Sequence, residues 1–169
     1  NQEPLMPREM IMLQGDHNVA NVLAACAIAH AAGITAEAMV NGVAGFSGVP
    51  HRLELVRILH GVAWYNDSIA TAPERTMAAL RSFQEPVVLL LGGRDKNLPW
   101  EDLVAKVNQG IRHIALFGEA AEMIRRKIQA ASSSPAPYSV SISSTLEEAV
   151  YYAQEAARPG DVVLLSPGC

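Results

Sequence analysis

A glycine pair and a lysine follow the most apolar segment of the chain. Segment 86–91 reads Pro-Val-Val-Leu-Leu-Leu, and Gly92, Gly93 and Lys96 come directly after it. Paired glycines let backbone amides approach an anion, and a lysine adds a positive charge. The spacing does not fit a GxxxxGKS/T phosphate loop, and the chain contains no GxGxxG. The segment therefore predicts either an anion site or a strand-ending turn with a solvated lysine.

Two polar residues after the apolar run 62–65 are further candidates for a ligand site. A carboxylate such as Asp67 at a strand end is placed to accept hydrogen bonds from ribose hydroxyls. Asp67 and Thr71 are equally suited to cap a helix, and Pro73 favours a helix start close by. The residues alone leave both interpretations open.

Polar groups nearer the amino terminus extend the candidate site. His51 and Arg52 follow Pro50, and a guanidinium there can reach a phosphate or carboxylate across a gap between domains. Asn18 and Asn21 lie three residues apart at the start of a helical pattern, so they share a face. Asn18 is suited to capping, whereas Asn21 is predicted to lie inside an apolar face, where a buried amide needs partners.

Two helices are predicted in the first part of the chain, and the first of them carries the two asparagines. Residues 18–32 have apolar side chains at helical spacing, and Gly33 is placed to end that helix. Thr35 then caps a second helix that reaches about residue 44. Glycines and a proline in 45–52 predict a hinge or linker.

The rest of the chain predicts a Rossmann-like α/β fold. Runs 53–59 and 62–65, joined at His60-Gly61, predict a hairpin. Helices and strands then alternate, which implies a mostly parallel sheet covered by helices on both faces. The predicted helices cover 73–82, 100–108, 119–131 and 144–156; the predicted strands cover 86–91, 113–117, 138–142 and 161–165; the serine-rich run 132–135 is predicted to be a loop.

The composition narrows the function classes. Of 169 residues, 50% are apolar and the formal net charge is only −4, which excludes a disordered chain. Basic residues are scattered, so no nucleic-acid surface is expected. The longest apolar stretch, around 19–34, is shorter than the ~20 residues of a membrane span. The short stretch predicts no membrane partner. Cys26 and Cys169 cannot build a disulfide framework or a metal cluster. We therefore predict a protein of the reducing cytoplasm without metal ligands.

Five short segments, taken together, resemble those of the Mur ligases and occur in the same order. The similarity covers 13–169, and it is strongest to the members that join D-glutamate to UDP-N-acetylmuramoyl-L-alanine. The segments are Gly-Asp-His-Asn-Val-Ala-Asn (15–21), Gly-Val-Pro-His-Arg-Leu-Glu (48–54), Asn-Asp-Ser-Ile-Ala-Thr-Ala-Pro-Glu (66–74), Leu-Gly-Gly-Arg-Asp-Lys (91–96) and Leu-Leu-Ser-Pro-Gly-Cys (164–169).

The resemblance implies an ATP-dependent ligase of peptidoglycan synthesis that works through an acyl phosphate. Its implied cofactors are ATP and Mg²⁺, its implied partners are UDP-N-acetylmuramoyl-L-alanine and D-glutamate, and a monomer is expected. Residues 1–47 would be the end of a central ATP-binding domain, and 48–169 a carboxy-terminal domain cut short at its end. On this view the phosphate-binding loop and other substrate contacts lie outside the chain, so we expect a piece that is inactive alone.

The resemblance also implies roles for particular residues. The asparagines of the family's GxHNxxN motif contact adenine, which maps to Asn18 and Asn21. The arginine of PHR and the aspartate of NDS contact the nucleotide, which maps to Arg52 and Asp67.

The same comparison implies a D-glutamate site formed by Thr71, Lys96 and His51. Many relatives have a lysine where this chain has Ile69, so one cationic contact is missing or replaced.

Three alternatives remain at the level of sequence. The chain could belong to another amino-acid-adding Mur ligase, to a folylpolyglutamate synthase, or to a stand-alone Rossmann-like binding module. The first two typically carry an AHxP or HHP-like segment after the aspartate, which 68–71 fits poorly. The third requires a complete site within these residues, and none is visible.

Overall fold

The computed structural model describes residues 4–107, 109–131 and 136–169, and the predicted loop at 132–135 lies outside them. The chain divides into two compact units, Asn1–Pro50 and His51–Cys169. Within the described residues, no helix combines the length and the apolar character needed to cross a bilayer.

The first unit contains the two predicted helices. Helix α1 is Asp16–Ala31, and helix α2 is Ala36–Ala44. The Thr35 hydroxyl accepts a hydrogen bond from the Ala38 amide (3.3 Å), which confirms the predicted cap. A short 3-10 turn, Arg8–Met10, was not predicted.

The prediction that Asn21 lies buried in an apolar face is wrong. Asn21 is exposed on α1, and Asn18 is the buried amide, at 7% exposure. The cause is that apolar residues of α1 are themselves exposed in this unit, among them Ile28, which lies seven residues after Asn21 on the same helix face.

The second unit alternates strands and helices after an initial hairpin. Its strands are β1 (Glu54–Leu59), β2 (Val62–Asn66), β3 (Val87–Gly92), β4 (Ile111–Phe117), β5 (Ser139–Ser143) and β6 (Val162–Gly168), and its helices are α3 (Pro73–Leu80), α4 (Glu101–Lys106), α5 (Ala121–Ala131) and α6 (Leu146–Ala156). In the described part of the chain the strands form one sheet in the order β1-β2-β6-β3-β4-β5. Only the β1–β2 pair is antiparallel among these, so the predicted hairpin and mostly parallel sheet are confirmed.

Helices cover both faces of the sheet, as predicted. Strand β3 is buried along its whole length because its side chains alternate between two apolar layers. Leu89 and Leu91 pack with residues of α3, α4 and α5. Val88 and Leu90 pack with Ala149 of α6 on the other face. The fold is therefore the expected Rossmann-like arrangement.

Strand β6 extends further than its apolar run suggests. The sequence predicts a strand over 161–165, but Ser166, Pro167 and Gly168 continue it, and Gly168 pairs with Gly92 across a register shift. A proline lacks the amide that a regular ladder needs, so it fits at such an irregularity. Ser166 is consequently a buried strand residue and not part of a loop.

The carboxyl ends of β3 and β4 approach each other too closely for a side chain. Gly92 has φ +154°, and a Cβ there would overlap the Phe117 backbone, with the carbonyl carbon at 2.8 Å and the nitrogen at 2.9 Å. The backbone of Gly118 in turn lies against Gly93. Glycine at position 92 is therefore a condition for this edge of the sheet.

We expect Gly92→Ala to lower the free energy of unfolding of the second unit by about 3 kcal/mol or more, because backbone must move to accommodate the methyl group. Gly110→Ala is the control: Gly110 has φ +72° with open space around it, so only about 1–2 kcal/mol of backbone strain is expected. Urea denaturation followed by tryptophan fluorescence measures both, since Trp64 and Trp100 lie in this unit. Equal losses would contradict the close approach.

A buried histidine ties β4 to the edge strand β5. His113 is 6% exposed, and its Nδ1 and Nε2 lie 2.7 Å and 2.9 Å from the hydroxyl oxygens of Ser139 and Ser141. Burial lowers the pKa of His113 below its ordinary value. The neutral ring is therefore favoured in the folded chain.

We expect this histidine to make the second unit less stable in acid. Because the folded pKa lies below the unfolded value of about 6.5, the unfolded chain binds more protons as the pH falls, and stability drops by at most about 1.4 kcal/mol per pH unit below that value. Urea denaturation at pH 7.5, 6.5 and 5.5 should show a smaller drop for His113→Gln than for the parent chain. His60→Asn, at an exposed turn, should keep the parent's loss of unfolding free energy between pH 7.5 and 5.5. The same loss in all three proteins would contradict the role of His113.

Candidate functional site

Five predicted site residues of the second unit gather at the carboxyl edge of the parallel strands. His51 and Arg52 precede β1, Asp67 and Thr71 follow β2, and Lys96 follows β3. Ligands of open parallel sheets bind at this edge. Asn18 and Asn21 lie in the first unit, on α1.

A strained turn carries Arg52. His51 and Leu53 have φ of 66° and 45°, values in the left-handed region that cost a non-glycine residue free energy. Surrounding bonds hold the turn: the His51 backbone amide donates to Glu54 Oε2 (2.8 Å), and the Asn66 side-chain Nδ2 donates to His51 Nδ1 (2.9 Å). Arg52 itself is exposed.

Asp67 holds the other side of the same turn. This carboxylate is 5% exposed; its Oδ1 accepts a hydrogen bond from the Leu53 amide (3.1 Å), and its Oδ2 accepts one from the Ser166 hydroxyl (2.9 Å). It does not cap α3, whose N-cap is Ala72 without a side-chain bond. The alternative of Asp67 or Thr71 as a helix cap is therefore wrong.

Thr76 is part of this network and was missed by the sequence analysis. It is fully buried on α3, and its hydroxyl donates to the Ser166 carbonyl oxygen at 3.1 Å, with the Ser166 hydroxyl oxygen also at 3.1 Å. The only signal was a hydroxyl among the apolar residues of a helix. Nothing in the spacing pointed to Ser166, which is 90 residues away.

Thr71 and Lys96 meet, although 25 residues separate them. Lys96 Nζ donates to the Thr71 carbonyl oxygen at 3.3 Å, and both residues are exposed. The segment before Thr71 is fixed because the Gly168 amide donates to the Ala70 carbonyl oxygen (2.8 Å). An ammonium group that has one backbone acceptor keeps donors for a ligand carboxylate or phosphate.

Cys169 lies beside the glycine pair. Its thiol donates to the Gly92 carbonyl oxygen (3.2 Å), and it is 8% exposed. Burial, with the nearby Asp95 carboxylate as a smaller cause, raises the pKa of this thiol. A thiol kept neutral in this way is a packing group and a poor nucleophile.

The two asparagines of α1 form a pair. The side-chain Nδ2 of Asn18 donates to the Gln14 carbonyl oxygen (2.7 Å), and the side-chain Nδ2 of Asn21 donates to Asn18 Oδ1 (3.3 Å). The buried member thus holds the exposed one.

A family model described as "Mur ligase, glutamate ligase domain" matches residues 51–169, the whole of the second unit. The chain belongs to the Mur ligase family. The resemblance of its five short segments to Mur ligases is thereby confirmed.

Individual Mur ligases agree with the family match over nearly the whole chain. The chain is 39% identical over 168 residues to UDP-N-acetylmuramoylalanine--D-glutamate ligase of Syntrophus aciditrophicus, covering 99% of this chain and 36% of that protein. It is 43% identical over 171 residues to the enzyme of the same name from Legionella pneumophila, covering 99% and 37%. The chain thus spans little more than a third of the length of these relatives.

The fold agrees with a solved Mur ligase structure as well. UDP-N-acetylmuramate-alanine ligase MurC from Thermotoga maritima superposes with a TM-score of 0.71 at 17% identity, covering 93% of this chain and 35% of that one. At this identity the likeness concerns the fold alone.

The buried Asp67 network of this Mur ligase domain should be costly to break. We expect Asp67→Ala to lower the free energy of unfolding of the second unit by about 2–4 kcal/mol, because the Leu53 amide and the Ser166 hydroxyl lose their acceptor. Asp95→Ala, at an exposed carboxylate, should cost under about 1 kcal/mol. Urea denaturation of both variants measures the difference, and similar losses would show that Asp67 is not a structural centre.

Proposed function

We propose that this chain is the carboxy-terminal part of an ATP-dependent ligase that adds D-glutamate to UDP-N-acetylmuramoyl-L-alanine in peptidoglycan synthesis. The observation that carries the proposal is the hydrogen bond from Lys96 Nζ to the Thr71 carbonyl oxygen (3.3 Å) at the carboxyl edge of the sheet. The names of the relatives at about 40% identity support the same substrates. Within the proposal, the first unit is the end of the central ATP-binding domain and the second unit is the glutamate ligase domain.

The proposed reaction has two steps. An oxygen of the UDP-N-acetylmuramoyl-L-alanine carboxylate attacks the terminal phosphorus of ATP, and ADP leaves. The amine nitrogen of D-glutamate, after losing a proton, then attacks the acyl carbon, and phosphate leaves. Phosphorylation is needed because a carboxylate is a poor electrophile, and positioning of the amine supplies much of the remaining acceleration.

The nucleotide site in this proposal combines exposed and buried residues. Arg52 and Asn21 are exposed and make the outward contacts, by charge to the nucleotide and by amide to the adenine. Asn18 and Asp67, which belong to the same proposed ATP site, are buried and also hold the exposed pair, through the Asn18–Asn21 bond and the turn that bears Arg52.

The D-glutamate site in this proposal consists of Lys96, Thr71 and His51. The Lys96 ammonium binds a carboxylate of the amino acid, Thr71 adds its exposed side chain, and His51 contributes the ring that Asn66 holds. Ile69 is 41% exposed and its backbone amide donates to the His51 carbonyl oxygen (3.2 Å); its side chain offers contact area in place of the lysine charge of many relatives.

The complete ligase of this proposal uses Mg²⁺ together with ATP. Among the described residues, no group of three or more His, Cys, Asp or Glu side chains is arranged to hold a metal ion. We therefore propose that any Mg²⁺ of the complete ligase is held by other parts of the protein together with ATP. The proposal also includes a monomeric enzyme in the cytoplasm, where ATP is available.

We expect Lys96→Ala, in the full-length protein that carries this chain, to raise the KM for D-glutamate about tenfold or more, because a charge-assisted hydrogen bond is lost. The KM for ATP should change much less. The assay follows ADP release that depends on both UDP-N-acetylmuramoyl-L-alanine and D-glutamate.

Lys106→Ala on α4 is the control and should leave both constants unchanged. An unchanged D-glutamate KM and kcat in Lys96→Ala would overturn the role of Lys96. Absence of D-glutamate-dependent ADP release from the unsubstituted full-length protein would overturn the proposed function.

A further inference from the structure

We propose that Ser166 and Thr76 are positioning residues of the nucleotide site, because the Ser166 hydroxyl holds the Asp67 carboxylate that fixes the turn carrying Arg52, and the Thr76 hydroxyl holds Ser166. The inference rests on the proposed function and adds two residues to it. Neither side chain is accessible, since both are fully buried. They act through Asp67 and touch no substrate.

The direction of each hydrogen bond follows from counting protons. An ionised carboxylate only accepts, so the single Ser166 hydroxyl proton goes to Asp67 Oδ2 at 2.9 Å. The Thr76 hydroxyl proton is then the one that bonds the Ser166 carbonyl oxygen at 3.1 Å. Thr76 thus fixes the strand position of Ser166, and Ser166 fixes the carboxylate.

The last bond of the series acts on the backbone next to Arg52. Asp67 Oδ1 accepts from the Leu53 amide at 3.1 Å, and Leu53 is a buried residue with φ of 45°. A non-glycine residue stays in that region only when its surroundings hold it there. Without the carboxylate in place, Leu53 is free to relax to an ordinary conformation, whereas His51 keeps its bonds to Glu54 and Asn66.

The turn is what sets the position of the Arg52 side chain. Within the described part of the chain, no hydrogen bond or ion pair is found for the Arg52 guanidinium, and the side chain is exposed. Its direction therefore depends on the backbone between His51 and Leu53. A change in the buried hydroxyls should reach the nucleotide through this backbone.

The D-glutamate residues are held by other bonds, and this includes His51, whose backbone amide bonds Glu54 and whose ring bonds the Asn66 side chain. Lys96 contacts the Thr71 carbonyl oxygen, and Ala70 is bonded to the Gly168 amide. None of these bonds involves the Ser166 or Thr76 hydroxyl. Loss of the hydroxyls should therefore affect ATP more than D-glutamate, whereas general destabilisation would affect both.

The test uses three variants of the full-length protein. Thr76→Val keeps the shape and removes the hydroxyl, Thr76→Ser keeps the hydroxyl, and Ser166→Ala removes the second hydroxyl. We expect Thr76→Val and Ser166→Ala to raise the KM for ATP about fivefold or more, with the D-glutamate KM changed by less than about twofold. Thr76→Ser should stay within about twofold of the parent for both constants.

Amide hydrogen exchange of Leu53 gives a readout independent of activity. Exchange at Leu53 should be faster in Thr76→Val and Ser166→Ala than in the parent and in Thr76→Ser, at a temperature where thermal unfolding shows every variant to be folded. Should Ser166→Ala fail to fold, the Thr76→Val and Thr76→Ser pair still decides the question.

The other outcomes overturn either the inference or the proposed function, and they can be told apart. Faster Leu53 exchange with an unchanged KM for ATP would show a purely structural network. Equal increases of both KM values, or of Thr76→Ser and Thr76→Val, would show general destabilisation. If the parent protein has no D-glutamate-dependent activity but the Leu53 exchange changes as expected, the proposed function fails while the hydrogen-bond series stands.

Discussion

A buried carboxylate must have its oxygen atoms hydrogen-bonded, and this requirement organises the carboxyl edge of the sheet. Asp67 satisfies it with the Leu53 amide and the Ser166 hydroxyl, which belong to the turn before β1 and to β6. Its own amide donates to the Leu165 carbonyl oxygen (2.8 Å), so the residue is fixed through backbone and side chain at once. Because an unsatisfied buried charge is costly, these elements are held in one arrangement. The exposed residues of the candidate site are supported by that arrangement.

A second constraint is steric and acts beside the first. The backbones at the ends of β3 and β4 pack directly on each other, Gly92 on Phe117 and Gly118 on Gly93, and the loop that continues from Gly93 carries Lys96. Hydrogen bonding shapes the side of the site near Arg52, and close backbone packing shapes the side near Lys96. The two halves of the proposed site therefore depend on different kinds of interaction.

Local signals in the sequence predicted most of the fold. Thr35 predicted the start of α2, His60-Gly61 predicted the β1–β2 hairpin, and the apolar run 86–91 predicted the buried strand β3. Each of these features depends on residues within one turn or one strand. The Asp67–Ser166 bond spans 99 residues, and no local pattern encodes such a partner. The apolar neighbours of Asn21 predict a buried side chain. Burial is decided, however, by what packs against a helix and not by the helix itself. The resemblance to Mur ligases supplied the candidate residues, while the distinction between outward and buried ones required the structure.

The order of the strands also determines when the sheet can be completed during synthesis. Strand β6 follows the other five described strands along the chain, yet it lies between β2 and β3 in the middle of the sheet. A nascent chain that has emerged as far as α6 holds two separate pieces, a β1–β2 hairpin and a β3–β4–β5 sheet, with the edges that await β6 unpaired. Insertion of β6 joins them and delivers the Ser166 hydroxyl in the same event. Until β6 has left the ribosome, the domain has neither a continuous sheet nor a fixed Asp67.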